Sequence, residues 1–178
     1  MVALKRTIVL IGMMGAGKSS VGRRLAAKLS VPFRDADAEI EAAAGCTITE
    51  IFDRLGEAEF RKGEQRVILR LLAEGPHVLA AGGGAFINET TRAAIQRDGV
   101  SVWLRAPLDV LVARLQRRET RPLLKNGDPR AILKELLAVR EPIYGEADLV
   151  VDTEDGPHAA VVERITAALE ARGLLVEP

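Results

Sequence analysis

Aromatic side chains are scarce in this sequence: one Trp, one Tyr and four Phe among 178 residues. Its core must therefore be aliphatic, and a stacking platform for single-stranded nucleic acid has little to be built from. Net charge is absent as well. Lys and Arg number 25 and Asp and Glu number 25, so no global field draws the chain to nucleic acid or to an anionic membrane. Cys46 stands alone, which rules out an intrachain disulfide and gives no sign of an oxidising compartment. A small, buried or half-buried side chain is the expectation there. No apolar run reaches the roughly 18 residues of a membrane span, and the N-terminus leads directly into a strand where a cleavable signal would have to lie. A cytoplasmic protein with no nucleic-acid and no membrane partner is expected.

What the chain does contain is a phosphate cradle. Gly12-Met13-Met14-Gly15-Ala16-Gly17-Lys18-Ser19 fits G-x-x-x-x-G-K-[ST]. The run Thr7-Ile8-Val9-Leu10-Ile11 before it predicts a buried strand, and Val21, Leu25, Ala26 and Leu29 after it recur at helical spacing. Glycines let the loop turn tightly so that several N–H groups face one point, and the helix N-terminus adds positive potential. Gly15, Ala16, Gly17, Lys18, Ser19 and Ser20 are thus candidates to bind a nucleoside triphosphate. Lys18 is placed to meet the β- and γ-phosphates, and Ser19 to ligate Mg²⁺.

Further along, a short strand from Pro32-Phe33 is expected to end in Asp35-Ala36-Asp37, with two carboxylates at the end of the sheet where α/β proteins bind ligands. Thr47-Ile48-Thr49-Glu50 resembles a capping box, and the helix from Glu57 should turn Val67, Ile68, Leu71 and Leu72 inward with most of its charges in solvent. A third strand, His77–Ala81, runs into Gly82-Gly83-Gly84, where the backbone can approach a ligand closely. A helix over 89–98, a strand Val100–Leu104, a helix from Pro107, a helix over 129–141, a strand Asp148–Asp152 and a helix over 157–172 complete the pattern. Between Arg114 and Lys125 lie five bases and one acid, ending in Asn126-Gly127-Asp128-Pro129. Such a patch beside a phosphate site suggests a lid. Five strands alternating with helices predict an α/β fold: a parallel sheet covered on both faces, with the P-loop strand central.

Three classes share a P-loop. A regulatory GTPase would place its D-x-x-G after a strand, whereas Asp53-Arg54-Leu55-Gly56 sits in a helical pattern and no N-K-x-D occurs. Asp152 ends an apolar strand as a Walker B aspartate would, but that strand is the last and belongs near the sheet edge. A non-catalytic nucleotide-sensing module is a second alternative. Compact size and a basic lid favour a phosphotransferase acting on a small acceptor.

In order along the chain stand the P-loop, Asp35-Ala36-Asp37-Ala38-Glu39-Ile40-Glu41, Ile51-Phe52, Glu59-Phe60-Arg61 with Glu64, Gly82-Gly83-Gly84-Ala85, Arg121-Pro122-Leu123-Leu124 and Arg140-Glu141-Pro142-Ile143-Tyr144. With this set the chain resembles the shikimate kinases over nearly its whole length. Gluconate and nucleotide kinases have related folds and would not be expected to carry all of it. Ser20 stands where the family often has Thr, and Lys62-Gly63 fill a variable pair.

The resemblance implies ATP- and Mg²⁺-dependent phosphorylation of the 3-hydroxyl of shikimate, a step of chorismate and aromatic amino-acid biosynthesis. It implies a nucleoside monophosphate kinase-like three-layer sandwich with strand order 2-3-1-4-5. A single domain, 1–178, would carry a substrate-binding insert near 35–64 and a lid near 114–127, in a monomer. Arg61 and Arg140 would hold the shikimate carboxylate, and Asp37 would lie beside the reacting hydroxyl. Gly82, Gly83 and Gly84 would offer backbone N–H groups, and Phe52 and Phe60 would wall the apolar ring face. Asp35 would hold Mg²⁺ through water alongside Ser19. Arg121 would reach the transferred phosphate, and Arg114 would lie near the adenine.

Overall fold

The computed structural model describes residues 3–117, 127–154 and 156–176. Its strands along the chain are β1 (Ala3–Leu4), β2 (Thr7–Ile11), β3 (Phe33–Asp35), β4 (Val78–Ala80), β5 (Gly99–Arg105), β6 (Leu149–Asp152) and β7 (Leu175–Val176). Five of them form one parallel sheet in the order β3-β4-β2-β5-β6. Counted along the chain these five stand 2-3-1-4-5, as expected, with the P-loop strand β2 in the centre. Every residue of β2 is buried, which a strand covered by helices on both faces requires. The two-residue strands β1 and β7 pair antiparallel and are too short to leave a periodic pattern in the sequence.

The helices are α1 (Lys18–Leu29), α2 (Ala36–Ala44), α3 (Ile48–Ala73), α4 (Glu89–Asp98), α5 (Leu108–Gln116), α6 (Pro129–Tyr144) and α7 (His158–Ala171). α1 packs on α7, α3 on α4 and α5 on α6. Their starts follow local chemistry. The Thr47 hydroxyl accepts from Glu50 N at 3.2 Å, as the capping-box pattern predicts, and Asn88 and Asp128 cap α4 and α6 in the same way. Pro129 occupies the first turn of α6, where its missing N–H costs nothing.

Two local expectations are corrected. The strand β3 ends at Asp35, and Asp37 lies in the first turn of α2. The cause is Asp35 itself: its Oδ1 accepts from Asp37 N at 3.0 Å and Ala38 N at 3.3 Å and so starts the helix. α6 does not stop before Pro142 but runs on to Tyr144. Pro142 removes one helical hydrogen bond, and burial of Leu133 and Tyr144 on one face offsets that loss. The span α3 is two helices that meet at a kink, as the sequence on either side of Gly56 suggests, and Gly56 there adopts φ 82° and ψ 172°, a conformation that suits glycine. Asp53–Gly56 therefore lies inside α3 and follows no strand. Asp152 ends the edge strand β6, bound by Arg105 at 2.6 and 3.0 Å.

Candidate active site

The P-loop joins β2 to α1. Gly15 and Gly17 take φ values of 84° and 94°, and Gly17 is the residue from which α1 starts. Ala16 N donates to Met13 O at 3.1 Å and Val21 N to Gly17 O at 2.9 Å, so the loop's own backbone hydrogen bonds hold its turn. Lys18 opens α1 and curls back, its Nζ donating to Gly12 O at 2.6 Å and Met13 O at 3.0 Å. Ser19 and Ser20 follow in the same turn. Ser19 Oγ lies 2.8 Å from Asp35 Oδ2, which joins α1 to the end of β3. Among the described residues no group of three or more His, Cys, Asp or Glu is gathered to hold a metal. One hydroxyl and one carboxylate form a hard-oxygen pair that suits Mg²⁺, an ion bound through few protein oxygens together with waters and substrate phosphates.

Arg114, in the last turn of α5, bridges this loop to the segment after β6. Its Nη1 donates to Gly15 O at 3.1 Å and its Nη2 to Glu154 O at 3.0 Å. His158, at the start of α7, comes to the same place, with Cε1 3.3 Å from where a Cβ on Gly17 would stand. Arg121, and with it most of the expected lid, lies outside the described residues.

Beside the P-loop is a small cavity of about 70 Å³. Met14, Asp37, Ile48, Phe52, Phe60, Arg61, Glu64, Gly82, Gly83, Gly84 and Arg140 line it. All eight residues expected at an acceptor site are therefore brought together, from α2, both halves of α3, the turn after β4, and α6. A larger cleft of about 510 Å³ opens on another side of α3. Asp37, Arg140 and the three glycines line only the smaller one, which makes the smaller the candidate site.

The glycines are explained by what faces them. At Gly84 a Cβ would stand 2.5 Å from both terminal nitrogens of Arg61 and would force the guanidinium to shift. At Gly83 it would stand 3.0 Å from Arg140 Nη1 and 3.4 Å from Gly12 O, and at Gly82 it would stand 2.9 Å from Glu64 Oε2 and 3.3 Å from Asp37 Oδ1. The run is a seat for two guanidinium groups and two carboxylates, pressed against the P-loop backbone.

Arg140 is 6% exposed; its Nη1 donates to a soft acceptor, Met13 Sδ, at 3.8 Å, and it acts electrostatically on the Glu64 carboxyl and the Tyr144 hydroxyl. A buried guanidinium lining the cavity beside a carboxyl group suits an anionic ligand. Arg61 stacks 5.1 Å over the Phe60 ring and pairs with Glu64 at 2.9 Å. Phe52 and Phe60 meet at 4.8 Å between ring centroids.

Glu64 carried no assigned role in the sequence. The signal was present: four residues after Phe60 and three before Val67, it occupies the inward stripe of α3 that the hydrophobic residues mark. It is 2% exposed, with Oε2 unpaired among the described residues. Burial pushes its carboxyl above the ordinary 4.5, and Arg61 only partly offsets this. A carboxyl whose folded pKa is raised contributes its stability below pH 4.5 and loses it as pH rises through the raised value. Glu64→Gln should accordingly gain melting temperature relative to the unaltered chain as pH goes from about 4 to about 8. Parallel thermal melts check this, and a gap that shrinks with pH would mean that the Arg61 pair outweighs burial.

A phosphate cradle facing a small cavity with two arginines and two carboxylates defines a P-loop phosphotransferase for a compact anionic acceptor. The family model described as shikimate kinase matches residues 14–170. A shikimate kinase of Caulobacter vibrioides is 58% identical over 164 residues, covering 92% of this chain and 82% of that protein. One of Ruegeria pomeroyi is 54% identical over 177 residues, covering 98% and 90%. A shikimate kinase of Acinetobacter baumannii solved in complex with shikimate superposes with a TM-score of 0.91 at 37% identity, covering 94% of each chain. The chain belongs to the shikimate kinase family.

Proposed function

We propose that this chain transfers the γ-phosphoryl group of ATP to the 3-hydroxyl of shikimate, yielding shikimate 3-phosphate and ADP. The observation that carries this reading is the Gly83 turn, where an added Cβ would stand 3.4 Å from Gly12 O and 3.5 Å from Met14 N of the P-loop and 3.0 Å from Arg140 Nη1. An acceptor bound there lies next to the phosphate cradle. Arg61 and Arg140 hold the carboxylate, Phe52 and Phe60 wall the ring, and Gly82, Gly83 and Gly84 contribute backbone groups. Asp37 orients the attacking hydroxyl. The acceptor oxygen bonds to the γ-phosphorus as its bond to the β–γ bridging oxygen breaks; ADP departs and the hydroxyl proton passes to the Asp37 carboxylate. The P-loop amides and Lys18 stabilise charge on the phosphoryl oxygens. Mg²⁺, when bound, neutralises charge on the β- and γ-phosphates, and Ser19 with Asp35, the latter through water, would hold it.

Arg114 lies against the adenine side of the cradle and Arg121 closes from the lid, 114–127. Residues 35–64 form the acceptor-binding insert of a single domain. All these groups come from one chain, so a monomer suffices. Dependence on ATP makes the cytoplasm the proposed site of action. Among the described residues no helix is long and apolar enough to cross a membrane.

The test is a coupled ADP-release assay of the pure protein with shikimate, gluconate and AMP. Turnover with shikimate alone is expected, and turnover confined to gluconate or AMP would overturn the reading. The two aspartates separate by metal response. Asp35→Asn keeps a good helix cap, so the fold should persist while the Mg²⁺ concentration for half-maximal rate rises. Asp37→Asn should lower turnover in a way that added Mg²⁺ does not restore. A swapped response would exchange their roles.

A further inference from the structure

We propose that Tyr144 is a positioning residue for the acceptor: its hydroxyl locks the Gly83 peptide in the orientation that lets Arg140 and the glycine turn read one carboxylate. This inference rests on the acceptor reading given above.

Tyr144 is the one tyrosine of the chain, and it is fully buried in a core otherwise made mostly of aliphatic side chains. Volume alone would be filled as well by Phe or Leu. The hydroxyl is used, however: it donates to Gly83 O and stands 3.8 Å from Met13 Sδ. Burial pushes its pKa up to about 12, so it remains a donor throughout the neutral range. Gly83 O belongs to the peptide that carries the Gly84 N–H, and the bond therefore fixes the plane of that group.

Arg140 lies one helical turn earlier on α6, on the same face. Its Nη1 reaches the same Met13 Sδ at 3.8 Å and would stand 3.0 Å from a Cβ at Gly83, a tight contact. Arg140, Tyr144, Met13 and Gly83 thus form one closed set joining α6, the P-loop and the acceptor turn. The ring is held from behind by Trp103, with 5.6 Å between centroids, and Trp103 is on β5, paired in register with Ile11 of β2. The tyrosine hydroxyl is therefore referenced to the same strand that positions the phosphates.

Tyr144→Phe keeps the ring and removes the hydroxyl. Shikimate should bind about threefold to tenfold more weakly by calorimetry, with KM for shikimate changed more than kcat. A non-hydrolysable ATP analogue should bind within about twofold of the unaltered chain, because the loop amides and Lys18 are not touched. In an Arg140→Ala background the Tyr144→Phe penalty should shrink, since the two act on one ligand group. Unchanged shikimate affinity in Tyr144→Phe, or equal losses for both ligands, would reduce Tyr144 to a filler of the core. Fully additive losses would do the same. Arg140→Ala alone reports on the acceptor reading: if it leaves shikimate binding intact, that reading falls and Tyr144's role with it. If Arg140→Ala weakens binding and Tyr144→Phe does not, only the Tyr144 inference fails.

Discussion

Lys18→Met is expected to lower turnover by about a hundredfold to a thousandfold, the usual loss when one preorganised donor to a developing anion is removed. The ammonium stands in the first turn of α1, and in the structure it donates to Gly12 O and Met13 O. It is not a core residue, and neither does it hold the loop alone. The left-handed glycines, the Ala16–Met13 turn and the start of α1 close the loop through backbone bonds. Met keeps the straight side chain and its packing volume, so a melting temperature within a few degrees of the unaltered chain is expected. Charge stabilisation acts mainly in the transition state, and the loss should appear in kcat more than in KM for ATP. Coupled ADP release together with a thermal melt checks both parts. A variant that retained more than about a tenth of the turnover would contradict the mechanism, since one oxyanion-type donor ordinarily contributes far more.

The sheet was legible because its central strands are mainly apolar, β-branched-rich runs with a glycine at one end, as in Thr7–Ile11 before Gly12 and Val100–Leu104 after Gly99. The acceptor residues were legible as a set through the family pattern; spacing alone said only that acids and glycines end strands. What escaped has physical reasons. Asp35 caps the following helix with the same carboxylate that meets Ser19, so one residue served two purposes and the boundary moved. Pro142 is a local stop signal overridden by burial of the residues around it. Glu64 lay within a segment so rich in charge that one inward carboxylate was hidden among solvated ones. Tyr144 had no neighbour in sequence to reveal that its partner would be a carbonyl 61 residues away.

The glycine run shows how such distant residues become one device. As sequence it suggests room for a ligand, and the structure gives it a more specific role, in which each glycine faces a named charged group. Backbone conformation does not demand glycine there, since none of the three has a positive φ. What faces the turn favours it: a Cβ at any of the three would press on a guanidinium or a carboxylate, which would have to shift. With glycine at all three positions Arg61 and Arg140 both line the one small cavity, the arrangement that the proposed sharing of one carboxylate requires.

Arg61→Ala and Arg140→Ala should each weaken shikimate binding by about 10- to 150-fold, the equivalent of a charge-assisted hydrogen bond of roughly 1.5–3 kcal/mol. The loss should be larger for Arg140. It is the more buried of the two, and Arg61 must share its guanidinium with Glu64 and Glu57 at 2.9 and 3.4 Å. Lys at either position should rescue poorly, because a point charge does not reproduce a planar fork. The double variant should lose less than the sum, since both groups act on one carboxylate. Gly84→Ala offers an independent approach: its new methyl would stand 2.5 Å from both Arg61 terminal nitrogens, displacing the guanidinium without removing its charge, and binding should fall towards that of Arg61→Ala. Gly63→Ala is the control. That glycine is in α3, and an added methyl there would meet nothing within 4 Å, so shikimate affinity should hold while stability rises by up to about 1 kcal/mol from helix propensity. Calorimetric titration of the set decides the matter: two single arginine variants that bind shikimate as tightly as the unaltered chain would remove the carboxylate clamp, and a Gly84→Ala variant with unaltered affinity would remove the steric account of the glycine turn.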